Sequence, residues 1–320
     1  MHFRLTQPED LPIARAFVPP AYRYSPAVHA ALPDIWGALL QSGQLTSAVL
    51  ESGNNGSARV LGVGLSVFVS DAFAEACLAH PVPYLNNRLH EMILAGSSPL
   101  LDAKAIAAAN QGDGLNLLPL HFCTASVDIG DPAVLPVLSA AQDLFRLMHA
   151  GFRVKRVIKE VVNLNLCRFM QSTGMRLACD YARDLPAPEL AALPDTERPY
   201  LLSVQREDMP LGSPLSLMFL PAPARFRFSR AERKLLMCAL LRDSDEELAR
   251  DLGLSQDTLR KHWKSIFQRV IAVDPQFFPL DDSDKLDGGL RGRGKRRHLL
   301  RHLQQHMQEL RPQASPTGKG

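Results

Sequence analysis

The hydrophobic pattern changes period along the chain. Over the first 180 residues, β-branched and apolar runs alternate with segments of helical spacing. His2–Thr6 predicts a first strand, and Pro8-Glu9-Asp10 an acidic helix start leading into Leu11–Phe17. Arg59–Ser70, rich in Val, Leu and Phe, predicts a buried strand, and Leu118–Asp128 predicts another. Val134–Ala150 reads as a helix with Leu135, Leu138, Leu144 or Phe145, and Met148 on one stripe, ended by Gly151. A strand over Arg153–Val162 and a short helix over Leu164–Thr173, stopped by Gly174, follow. This alternation predicts a mixed-sheet α/β domain over residues 1–185.

The pattern breaks at Leu185. Eight prolines fall between there and Phe226, so residues 186–226 read as a partly ordered connection. Its apolar runs, Tyr200–Val204 and Leu215–Leu220, are candidates for edge strands. Residues 227–320 are helical in pattern. Ser229-Arg-Ala-Glu232 and Ser244-Asp-Glu-Glu247 both fit the capping box, in which a serine oxygen accepts a first-turn amide and the glutamate reaches back. Gly253 suits a left-handed turn, and Ser255 caps a third helix running to about Val270. On that helix Leu259, Trp263, Ile266 and Val270 form an apolar stripe, and Asp257, Arg260, Lys261, Lys264 and Gln268 lie opposite. Gly288–Gly294 reads as a turn, and His298–Leu310 as an amphipathic helix with Leu299, Leu303 and Leu310 on one side.

Charge sharpens this division. Net charge is +3 overall. Residues 225–320 hold 20 Lys and Arg against 13 Asp and Glu, leaving 16 against 20 for residues 1–224. A basic end on an acidic body suits a polyanionic partner, or is only a basic tail. Five scattered cysteines without a C-x-x-C pair argue for a reducing compartment and against a thiolate zinc site. The longest apolar stretch, Val60–Val69, is too short for a membrane span, and no signal segment is evident. The expectation is a cytoplasmic protein without membrane contact.

Ser229–Val270 resembles the LuxR/GerE-type helix-turn-helix. The likeness runs through Ser229-x-x-Glu232, Glu247-Leu248-Ala249, Leu252-x-Leu254-Ser255 and Thr258-Leu-Arg-x-His262-x-x-x-Ile266. It implies that Arg260, Lys261 and Lys264 touch bases and that Ser255 and Thr258 touch the phosphate backbone, with Gln256 counted among the DNA-binding residues. The basic run Arg291–Arg297, with Arg296 and Arg297, either adds phosphate contacts beside that helix or is a solubilising tail. Two departures stand out. Arg242-Asp243-Ser244 replaces a glycine-containing turn, and Asp274-Pro275 interrupts where a short dimerisation helix would lie. The resemblance implies double-stranded DNA and a homodimer as partners.

Arg153–Arg176 resembles the end of a GNAT-type acyltransferase fold: a strand, Asn163, a short helix, then Gly174-Met175-Arg176. Pro8-Glu9-Asp10 and Gly151 fit the same pattern. Such enzymes hold the coenzyme A pyrophosphate on a glycine-bearing loop. Here Asp131-Pro-Ala-Val-Leu-Pro136 stands in that place, and Met170 occupies the position of a general-acid tyrosine. The α/β domain is therefore expected to be non-catalytic, serving ligand sensing or dimerisation, with a small-molecule or acyl-CoA effector left open. No catalytic residue, resident cofactor or metal ligand is assigned.

Other features carry less. His80, His90 and His121 are separated along the chain; His298, His302 and His306 share a helical face. Asp128 is a lone carboxylate, Gly53-Asn-Asn-Gly56 a turn, and Cys123 a packing residue. The sequence thus predicts a GNAT-like α/β domain joined to an all-α helix-turn-helix, acting as a sequence-specific transcriptional regulator and not an enzyme. The alternatives are an acyl-CoA-dependent N-acyltransferase fused to a DNA-targeting module, and a protein-interaction adaptor.

Overall fold

A computed structural model describes residues 1–53, 59–124, 134–220, 222–241, 244–279 and 290–312, except the side chains of residues 123 and 290–293. The chain divides into two compact units. The first comprises residues 1–149 and 153–220, the second residues 150–152 and 221–320.

The first unit is a mixed α/β layer. In chain order it runs β1 (His2–Leu5), α1 (Leu11–Ala16), α2 (Pro26–Ser42), β2 (Leu45–Ser52), β3 (Arg59–Val69), α3 (Asp71–Ala79), α4 (Leu85–Leu94) and α5 (Ala103–Gln111). There follow β4 (Leu115–Thr124), α6 (Leu135–His149), β5 (Val154–Val162), α7 (Leu164–Ser172), β6 (Arg176–Asp180), α8 (Tyr181–Asp184), α9 (Pro188–Ala191) and β7 (Pro199–Gln205). The sheet order is β1-β2-β3-β4-β5-β7-β6. Every pairing is antiparallel except β4 with β5. Residues 125–128 of the strand expected over Leu118–Asp128 lie outside the described residues, as do residues 54–56 of the expected turn.

Helix α2 was not legible because Pro33 falls inside it, where a missing N–H ordinarily costs about 3 kcal/mol. The helix is secured at its start by the Ser25 cap with Pro26 behind it, and at its end by Gly43 at φ 74°. Its buried face, Val28, Leu32, Ile35, Trp36 and Leu39, joins the main core with Val49, Val63, Leu65, Leu118 and Ile158. Packing of that face outweighs the proline penalty.

Two expectations for the proline-rich segment are corrected. Tyr200–Val204 belongs to β7, which is interior and pairs with both β5 and β6. Its residues Tyr200, Leu201, Leu202 and Val204 are buried, so burial rather than proline content decides its place. Leu215–Leu220 forms no strand; Pro214–Phe219 is a 3-10 helix with proline at its start.

The second unit is all-α, with α10 (Arg230–Ala239), α11 (Asp245–Leu252), α12 (Gln256–Val273) and α13 (Leu290–Gln305). Ser229 and Glu232 form the full capping box. At Ser244 only the serine half forms, accepting from Glu247 N at 3.2 Å. Gly253 adopts φ 64° and Ser255 caps α12. The turn expected over Gly288–Gly294 is corrected from Leu290 onward, where α13 begins; residues 288 and 289 lie outside the described residues. Each helical glycine costs about 1 kcal/mol. Packing of Leu299 and Leu303, both fully buried, offsets that cost. Among the described residues no helix is long and apolar enough to cross a membrane.

Candidate functional site

The site follows from the one parallel pairing. Strands β4 and β5 are in register at Leu115 with Val154, Asn116 with Arg156 and Leu117 with Val157, and no further pairs form beyond these. Past Leu117 each strand keeps its other neighbour, β3 or β7, to its end. The facing backbone edges of residues 118–124 and 158–162 are thus left without one another, and buried backbone groups need other partners.

Side chains supply some of them. The Lys159 amine donates to the Pro119 and Leu120 carbonyls at 3.1 and 2.6 Å. Asn86 at the start of α4 donates to the same Leu120 carbonyl at 3.2 Å. Glu160, next along β5, is fully buried and accepts from the Leu85 amide at 3.0 Å. Burial pushes its carboxyl up to about 7, against the pull of the α4 amides and Lys159. Its second oxygen, the Asn86 side-chain Oδ1 and the Tyr84 hydroxyl are buried without a hydrogen-bond partner.

His121 lies on β4 inside the opening. Its Nε2 and the Tyr24 hydroxyl are 2.6 Å apart, and the Tyr22 ring meets its edge with centroids 4.7 Å apart. Burial holds this imidazole well below its ordinary range, with Lys159 and His90 adding in the same direction, so it stays neutral. His90 stands behind it: Trp36 Nε1 donates to its Nε2 at 3.0 Å, and its Nδ1 bonds the Asn86 carbonyl at 2.6 Å. Burial brings His90 down to about 4.

On the β4–β5 opening lies a cavity of about 510 Å³. Its polar lining includes Ser47, Ser66, Tyr22, His121, Lys159 and Asn163. Its apolar lining comes from α6, α7 and the 214–219 helix, including Leu138, Phe145, Met148, Met170 and Met218. Asn163 is held at φ 110°, where its side chain accepts the Asn165 and Leu166 amides and caps α7. The volume lies in the ordinary range for small-ligand sites.

The residues expected to meet DNA are placed differently. Asp257, Arg260, Lys261, Lys264 and Gln268 are exposed on α12, opposite buried Leu259, Trp263, Ile266 and Val270. Ser255 caps its own helix and bonds Thr258 Oγ1 at 2.8 Å, and Gln256 donates to the Asp245 carbonyl at 3.3 Å. Arg260 pairs with Asp257 at 3.3 Å. Arg296 pairs with Asp245 and covers the Trp263 ring at 5.1 Å, whereas Arg297 is exposed. His302 stacks on His306 at 4.1 Å, and His298 packs on Phe277. Among the described residues no group of His, Cys, Asp or Glu is placed to hold a metal.

Of the residues around the opening, the sequence offers His121 only as one of three separated histidines, and it assigns nothing to Tyr22, Tyr24, Lys159 or Glu160. A lysine and a glutamate side by side in the apolar run Val154–Val162 were the available signal, since such groups are seldom buried unless partnered. In the stretch read as a defective phosphate loop, residues 131–133 lie outside the described residues. So do Asp128 and the Arg242-Asp243 turn, and nothing is described of the Cys123 side chain. Pro136 occupies the second position of α6, where a missing N–H disrupts no helical bond.

No known protein family and no curated protein matches the chain. Among solved structures, a spermidine N-acetyltransferase variant from Vibrio cholerae is similar at 8% identity and TM-score 0.34, over 64% of this chain and 95% of that one. FeeM, an N-acyl amino acid synthase from uncultured soil microbes, is similar at 10% identity and TM-score 0.34, over 66% and 94%. The GNAT-like decarboxylase GphF, in complex with isobutyryl-CoA, is similar at 15% identity and TM-score 0.32, over 64% and 99%. These values mark a distant likeness of fold. They nonetheless correct the expectation of a DNA-binding transcriptional regulator, and the companion expectation that the chain is not an enzyme. These three are an acetyltransferase variant, an acyl amino acid synthase and a decarboxylase bound to an acyl-CoA, and none of the three is a LuxR-type regulator.

Proposed function

We propose that the α/β unit is a GNAT-like N-acyltransferase that moves an acyl group from a thioester such as an acyl-CoA to an amine. The observation that carries this reading is the β4–β5 opening onto a largely apolar cavity with neutral His121 on its wall. Diverging strand edges offer backbone donors and acceptors to an extended, amide-bearing arm, which aligns there as an added strand does. The acyl group then enters the cavity beside the opening.

In the reaction the amine nitrogen attacks the thioester carbonyl, the C–N bond forms, the C–S bond breaks and the sulfur leaves as thiol after taking up the amine's proton. His121 is the group placed to relay that proton. With its own proton on Nε2 it donates to Tyr24, leaving Nδ1 to accept. Its depressed pKa keeps the base form available throughout the physiological range while weakening the driving force for protonation. Tyr24 and Tyr22 hold the ring; they are positioning residues. For the helical unit the proposal is confined to form, α10–α12 having the caps, turn and face partition of a helix-turn-helix.

The test is thiol release and product mass with acyl-CoA donors and a panel of amines. Amide formation is expected, with His121→Gln lowering kcat by about 100-fold while donor affinity holds. Absence of both donor binding and turnover across the panel overturns the reading.

A further inference from the structure

Resting on that acyltransferase reading, we infer that the transferred group is a long, unbranched aliphatic chain rather than an acetyl group. The cavity is the observation. Its 510 Å³ exceed what a two-carbon group fills. A methylene needs about the volume of a liquid water, roughly 30 Å³, so the whole space would hold about 17, and with part of it given to the reacting centre it takes a chain on the order of a dozen carbons. An acetyl group would leave most of the wall without contacts, and unfilled apolar surface forfeits dispersion energy.

The chemistry of the wall points the same way. Leu138, Leu144, Phe145, Met148, Met170 and Met218 all line it, drawn from α6, α7 and the 214–219 helix. Unbranched thioether side chains adapt to an irregular, flexible occupant, whereas a rigid ring would be matched by fixed polar anchors. On the part of the lining contributed by α6 between Leu138 and Met148, the charged groups are Asp143 and Arg146, which pair with each other at 3.6 Å. Polar groups that suit the thioester and the amine, His121, Tyr22 and Lys159, come from the strand opening and the segment after α1. The lining is thus divided between a reacting centre and an apolar sleeve.

The experiment separates binding from transfer. Acyl-CoAs of 2, 8, 12 and 16 carbons are titrated into the full chain by calorimetry, and a fluorescent 12-carbon fatty acid is displaced in parallel. Each buried methylene is worth about 0.8 kcal/mol at most, about fourfold in affinity. Given incomplete burial, a rise of at least about 100-fold from 2 to 12 carbons is expected. Met218→Trp, which fills the sleeve, should move the optimum to shorter chains, and Met218→Leu should preserve the parent profile. Because misfolding would also alter the profile of Met218→Trp, the melting curve and the 2-carbon titration of each variant are recorded alongside.

Affinity independent of chain length, or an unchanged profile in a folded Met218→Trp protein, overturns the inference. Turnover of acetyl and long-chain donors at equal efficiency leaves the transferase standing and removes the chain. Length-dependent binding without turnover supports the sleeve and removes the transferase.

Discussion

The two units differ in how far apart along the chain their most legible polar pairs lie. In the helical unit the helix caps are local, Ser229 with Glu232, Ser244 with Glu247 and Ser255 with Thr258, each three residues apart, although its buried Glu309 accepts the Arg225 and Phe226 amides from 84 and 83 residues away. In the α/β unit they are remote: Lys159 with Leu120, Glu160 with Leu85 and Tyr24 with His121 are separated by 39, 75 and 97 residues. Local pairs announce themselves in a sequence; remote pairs do not. The unit that reads most clearly therefore drew the functional assignment, while the unit holding the cavity read as inert.

If the contrast is real, the largest single-site loss should come from a remote pair. Lys159→Met removes the donor shared by the Pro119 and Leu120 carbonyls and should cost about 3 kcal/mol in urea unfolding. A loss below about 1 kcal/mol would show that water or backbone replaces it.

Next in size is a dependence on pH. Glu160 has a folded pKa of about 7, above its ordinary 4.5. Its contribution is fully present below 4.5 and disappears as pH rises through 7. His90, lowered to about 4, acts in the opposite sense: its contribution is present above 6.5 and fades as pH falls toward 4. Glu160→Gln should flatten the alkaline side, removing on the order of 2 kcal/mol of change between pH 5 and 8 and sparing the acid side. An unaltered alkaline slope in denaturation at those two pH values would count against a protonated Glu160.

Glu232 joins a local cap to remote partners. It closes the capping box and also accepts from Ser265 and Arg269, at 3.3 and 3.0 Å. Glu232→Ala should cost about 1.5 kcal/mol in thermal unfolding of the full chain, because the Ser229 amide loses its partner and Arg269 is only partly exposed. Ser244→Ala, where half a box forms, should cost about 1 kcal/mol or less. Reversal of that order would mean the boxes contribute little and helix packing dominates.

Much of the fold was legible. β3, α6, β5 and α7 match the predicted segments to within a residue at each end, and the α12 stripe is buried as its spacing requires. Helix α2 and strand β7 were obscured by proline, whose local penalty is outweighed by tertiary packing no window of sequence reveals.

Periodicity, caps and glycine positions are short-range properties, so the sequence by itself determined β3, α6, β5 and α7, together with the caps of α10–α12 and the buried stripe of α12. Whether two strands stay paired or part company depends on what neighbours each on its far side. Only the tertiary structure could open β4 from β5, place His121 against Tyr24, bury Lys159 against the β4 carbonyls and Glu160 against the start of α4, and gather methionines from separate helices around one cavity. Those contacts join residues far apart in sequence, and no local free-energy preference encodes them.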